Sequence, residues 1–171
     1  MTALGDLRDC TSSLVLEFVR TQVVVDPSCV RSYPPIRLAD RFPETASALA
    51  THSLTRAALV ATGTIGDVLA RWWGMAGSRG VGLRGGAFET HGYRNPVFVL
   101  RDVRWVEDVA VSGTVDWDRP SGLVRARVTL RGEGVPPSRL RIRWNTWRPM
   151  GPALVVGTVG PHAIRLPVPA P

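Results

Sequence analysis

Between Pro96 and Arg143, apolar and polar residues alternate segment after segment. Val109, Val111, Gly113, Val115 and Trp117 share one parity, against Ser112, Thr114, Asp116 and Asp118 on the other. The alternation returns in Val124, Ala126, Val128 and Leu130 against Arg125, Arg127, Thr129 and Arg131. It returns again in Leu140, Ile142 and Trp144 against Arg139, Arg141 and Arg143. Side chains of a strand point to opposite faces in turn, so a period of two marks a half-buried strand. Three such strands joined by turn residues predict an antiparallel sheet with one apolar face and one arginine-rich face. Strands over 87–90, 97–105, 154–159 and 163–168 bring the expected total to about seven, in a meander, sandwich or half-open barrel. The tail Pro167-Val168-Pro169-Ala170-Pro171 is unsuited to a sheet interior, because proline donates no ladder hydrogen bond.

Ahead of residue 80 the period changes. Leu7, Cys10, Leu14 and Phe18 recur at spacings of three and four, a stripe along a helix that Asp6 caps and that runs to about residue 21. Asp9 near its start and Arg20 near its end suit the helix dipole. A second amphipathic helix is predicted from 54 to about 73. Ser53 caps it, Leu54, Ala58, Ala61, Ile65, Val68, Leu69 and Trp72 form its stripe, and Gly74 ends it. Gly63 and Gly66 each cost that helix about 1 kcal/mol relative to Ala, which implies close approach to the sheet. Between the helices only a short strand over 36–38 is suggested. The expected architecture is therefore α+β: residues 1–35, a linker over 36–52, and a helix plus antiparallel β domain over 53–171.

Composition narrows the picture. The 44% hydrophobic content is enough for a real core and argues against disorder. No run reaches the ~18 apolar residues a spanning helix needs. Met1-Thr2-Ala3-Leu4-Gly5-Asp6 lacks the basic and apolar regions of a signal peptide. A net charge of +7 invites a nucleic-acid reading, but all 21 basic residues are Arg. Abundant Ala, Val, Gly and Pro beside arginine alone is the mark of a high-GC genome. Polyanion binders usually show Lys and Arg together, in clusters, with aromatics available to stack on bases. Solvated arginines on a sheet face are the expectation, with no specific nucleic-acid partner. Cys10 and Cys29 suit a disulfide if the chain is exported, or two buried thiols if it is not.

Catalytic signals are weak. His52, His91 and His162 have no metal-ligand spacing around them. Ser78, in Ala76-Gly77-Ser78-Arg79-Gly80, mimics a nucleophile elbow, yet here a helix precedes and a strand follows, the reverse of that motif. An order of Ser78, then Asp116 or Asp118, then His162 meets the triad order formally, without supporting spacing. The glycine-rich run 80–86 has no helix after it to offer a phosphate, so it serves as a tight lead-in to a strand. Trp117 and Trp144 belong to the apolar parity. Trp73, Trp105 and Trp147 are candidates for an exposed sugar-stacking platform. Neither cofactor nor metal is expected.

One resemblance adds to this. The segment Asp9-Cys10, Leu14-Val15, Phe18-Val19, Asp26 and Ser28-Cys29 resembles the last helix of secreted α/β-hydrolases of the tripeptidyl-aminopeptidase-like kind. Ile65-Gly66-Asp67, Arg71-Trp72-Trp73, Gly82-Leu83-Arg84-Gly85-Gly86, 109–115 and Trp144 are similar to a C-terminal extension of some of these enzymes in high-GC bacteria. The resemblance implies a Cys10–Cys29 disulfide and a secreted or cell-wall-associated location. It also implies a docking face of Leu7, Leu14 and Phe18 for a catalytic α/β-hydrolase domain coded upstream. No residue here inherits a triad role, because that family's Ser, acid and His all precede this helix. The expected function is a non-catalytic C-terminal accessory region of an exported serine hydrolase. The alternative is a stand-alone β module that binds glycan, or an anionic cell-wall polymer through Arg125, Arg127, Arg139, Arg141 and Arg143. A hydrolase acting through Ser78 is a third option.

Overall fold

The alternating segments pair with one another in chain order. β1 (Arg79–Val81), β2 (Ala87–His91), β3 (Val97–Val103), β4 (Val109–Asp118), β5 (Leu123–Gly132), β6 (Ser138–Asn145), β7 (Pro152–Val159) and β8 (His162–Pro169) make one antiparallel sheet. In the computed structural model, residues 10–23, 26–32, 42–75, 77–148 and 151–171 are described. They fall in two units, Met1–Arg41 and Phe42–Pro171. The sheet has eight strands rather than about seven. The addition, β1, is three residues long and carries no alternation, so periodicity could not reveal it.

The helix α2 (Ser53–Met75) runs along the inner face. It touches β1 at one edge of the sheet and β4 through β8 toward the other. One and the same turn of α2 reaches both ends of the sheet: Asp67 accepts from the Leu83 N–H just after β1 at 2.9 Å, and Gly66 lies against Pro171 just after β8. The sheet therefore curls around the helix. Two glycines enable this. Gly113 in β4 and Gly157 in β7 hold φ of 147° and 154°, and a Cβ at either would overlap a carbonyl oxygen of the adjoining strand, Arg127 or Arg139. Glycine in mid-strand lets the backbone bend and approach its neighbour there.

Because the sheet wraps it, α2 is buried over most of its circumference. Ala57, Ala58, Val60, Ala61, Ile65 and Val68 are fully enclosed, against Phe88, Phe98, Val111, Val115 and Val124 of the sheet. Gly63 and Gly66 are close-approach positions, but their neighbours are not strand backbone. A Cβ at Gly63 would meet the Trp105 indole, and one at Gly66 would meet Pro171. Residues 42–52 belong to this unit, since Ala46 is fully buried in the core and its N–H donates to Asp108 Oδ1 at 2.8 Å. The edges are β1 and β8, and β8 carries Pro167 and Pro169, so the proline-rich tail joins the sheet only at its border.

In the first unit, α1 (Cys10–Thr21) and a 3-10 turn over Pro27–Ser32 are joined by a Cys10–Cys29 disulfide with Cα atoms 6.0 Å apart. Asp26 accepts hydrogen bonds from the Ser28 hydroxyl and the Ser28 N–H, and these hold its carboxyl below the usual carboxylate range. Of the expected stripe, Cys10 is buried, Leu14 half-buried and Phe18 exposed, while Leu7 lies outside the described residues. The strand suggested over 36–38 also lies outside them.

Candidate functional site

The parity that buries one face of β5 and β6 turns their arginines out on the other. The burial patterns are a strict alternation in both strands, with Arg125, Arg127, Arg131, Arg139, Arg141 and Arg143 all exposed. Register then decides which of them meet. Arg125 lies opposite Arg143, Arg127 opposite Arg141, and Thr129 opposite Arg139. On the far side of β6, Arg141 faces Val156, which in turn faces Arg165 of β8. The outcome is a grid of seven guanidinium groups on the uncovered face of the sheet, five of them (Arg125, Arg127, Arg139, Arg141, Arg143) packed into three adjacent rows.

Like charges directly opposite on neighbouring strands are destabilising, by a few tenths to about 1 kcal/mol per pair. Acidic neighbours could offset this, but three of the acids are engaged elsewhere and Asp116 alone borders the grid. Asp67 pairs with Arg71 at 2.9 Å, Glu107 with Arg84 at 2.7 Å, and Glu89 with Arg101 at 3.1 Å. Among the described residues none of the seven grid arginines makes an ion pair or side-chain hydrogen bond. Asp116, across from Arg125 at one corner of the grid, makes none either.

The grid is dimpled. One depression of about 550 Å³ lies among Arg127, Arg139, Arg141, Thr129 and Thr158. The next, of about 430 Å³, lies among Arg125, Arg127, Arg141, Arg143 and Arg165, with Asp116 also on its wall. They share the Arg127–Arg141 row and so follow one another along the strands. Gly113 and Gly157 line the floor of the first, so the bends that wrap α2 on the inside also indent the outside. Such a face concentrates positive potential and attracts anions.

The remaining candidates fall apart in space or into structural roles. His52, His91 and His162 are exposed, and among the described residues no three His, Cys, Asp or Glu side chains are grouped to hold a metal. Ser78 is exposed just ahead of β1, and no hydrogen bond joins it to a histidine among the described residues. Of the tryptophans, Trp144 is buried in the core and Trp117 half-buried, while Trp105 packs beside Gly63. Trp73 and Trp147 do reach the same end of the sheet, 60% and 52% exposed, but Trp105 does not join them.

What holds that end together is Arg119 of the β4–β5 turn. Its guanidinium lies 4.8 Å from the ring centres of both Trp73 and Tyr93, and 5.8 Å from that of Trp72. It also donates to the Tyr93 carbonyl at 3.0 Å, and Trp147 Nε1 donates to the Arg119 carbonyl at 3.2 Å. This strut ties two turns to the C-terminal end of α2 through cation–π contacts. No sequence signal marks it, because its members come from four separate elements.

The fold and this face define an eight-stranded antiparallel meander wrapped on a helix, presenting a surface whose arginines make no ion pair among the described residues. The chain matches no known protein family, no curated protein and no solved structure.

Proposed function

We propose that this chain is a binding module whose outer sheet face holds an anionic polymer. The observation that supports it is the placement of Arg125 opposite Arg143 and Arg127 opposite Arg141 across neighbouring strands, with no ion pair to either row among the described residues and Asp116, across from Arg125, the one carboxylate at its border. The fold gains nothing from that arrangement, whereas an anionic ligand gains a preformed array of charge-assisted donors. The Cys10–Cys29 bond fits an oxidising extracellular setting, where wall polymers are the available polyanions. The test is binding of polyanions over a salt series. Arg127→Gln with Arg141→Gln weakens binding strongly and flattens the salt dependence, while Arg94→Gln with Arg148→Gln, equal in charge but off the grid, does so weakly. Equal losses in the two double variants would reduce the grid to bulk charge.

A second reading is that the first unit docks on the catalytic domain of an exported α/β-hydrolase, making the chain its accessory region. It is favoured by the disulfide and by the exposure of Val15, Leu16, Phe18 and Val19 along α1. An in-frame Gly-x-Ser-x-Gly followed by a Gly-His segment in the DNA upstream of Met1 would support it. Unrelated DNA there would remove it.

A further inference from the structure

Resting on the polyanion reading, we infer that the ligand is a linear polyol phosphate, a base-free phosphodiester chain lying along β5 and β6, one phosphate in each depression. Three observations select it. The first is spacing. The depressions flank the Arg127–Arg141 row and are lined by residues two apart on each strand, so they repeat at about 6.8 Å along the strand direction. A polymer of phosphate anhydrides carries its charges more finely than that, whereas a short polyol between phosphates stretches to match. The second is what the face lacks. The outward residues of β4 to β7 are polar, charged or aliphatic, with no aromatic ring among them. Nucleobases and the apolar faces of sugar rings both call for aromatic platforms, so nucleic acids and polyuronates lose their usual stacking partners here. The third is charge. Each depression is bounded by at least three guanidinium groups, five against the single carboxylate of Asp116 in the second, a surplus that a fully ionised phosphodiester satisfies at every physiological pH.

Leu154 and Val156 add an apolar strip between the β6 arginines and Arg165, suited to the carbon segments between phosphates. The chain would thus run over cationic ground with an apolar margin alongside it on β7.

The experiment uses the full chain and synthetic glycerol phosphate oligomers of increasing length. Affinity should climb on going from one phosphate to two and then rise only gradually. The slope of log K against log salt for the two-phosphate oligomer should be roughly −1.5. Arg127→Gln should lose about tenfold or more, since it borders both depressions, and Arg131→Gln, outside both, less than about threefold. Circular dichroism of each variant confirms the fold. Inorganic polyphosphate, polygalacturonate, single-stranded oligo(dT) and phosphatidylglycerol vesicles are the competing probes. If any of these binds as tightly per charge as the glycerol phosphate chain, the ligand assignment falls while the polyanion reading stands. If none of the five binds, the polyanion reading itself is overturned.

Discussion

The two faces of the sheet are built from the same strands, yet they answer to different requirements. On the inner face, Val124, Ala126, Val128 and Leu130 of β5 are each at most 3% exposed and meet α2 or the opposing strands. Every one of them is accounted for by burial, at roughly 25 cal/mol per Å² of apolar surface removed from water. On the outer face the interleaved Arg125, Arg127, Thr129 and Arg131 are exposed, with Arg125 and Arg127 set against Arg143 and Arg141. Burial cannot explain that face and electrostatics opposes it. A surface that a fold tolerates at a cost, within a core packed this closely, points to a use outside folding.

That contrast can be broken from the inner side first. Phe98→Ala, at a fully buried ring that meets Trp72 edge-on, should cost about 3–5 kcal/mol in denaturant unfolding. A loss under 1 kcal/mol would mean the inner face is not the tight core described. The first unit provides a control on locality. Cys10→Ser with Cys29→Ser opens a loop with a sequence separation of 19 and should remove about 3 kcal/mol from that unit. The unfolding midpoint of the sheet should stay where it was, and a parallel drop would show that the two units unfold together.

Smaller effects test the borders of the comparison. Arg119→Ala removes the strut between Trp73 and Tyr93 and should cost about 1–2 kcal/mol, with a change in tryptophan fluorescence. On the outer face the sign reverses. Arg141→Thr relieves the facing Arg127 and should stabilise the fold by a few tenths to about 1 kcal/mol while weakening polyanion binding. A destabilised Arg141→Thr would indicate that the grid contributes to the fold after all. Smallest is Ser28→Ala, which removes the hydroxyl donor to Asp26 and should raise that carboxyl's pKa in an NMR titration. Since the folded pKa is depressed, the stabilisation Asp26 provides is present above its unfolded value and fades as pH falls through the folded one.

The inner face was legible from alternation alone, because each of β4, β5 and β6 has length enough to display its period. The outer arginines were legible as a parity but not as a grid. Which arginine stands opposite which depends on the length of the 133–137 loop that joins β5 to β6. The curl was hidden as well, since a glycine letter does not say that Gly113 or Gly157 takes a mirror-image conformation in mid-strand. β1 was too short to announce itself. The Arg119 strut was beyond reach, because cation–π contacts among residues 72, 73, 93 and 119 leave no local spacing to read.

The borders of the sheet carry a last consequence. A long polymer that recruits many copies side by side brings their rims together at high local concentration, the setting in which unpaired strands fuse into fibres. A three-residue first strand and a last strand interrupted by Pro167 and Pro169 deny any neighbour a continuous template to extend. On such a polymer, crowded copies would therefore stay separate, as beads on a string.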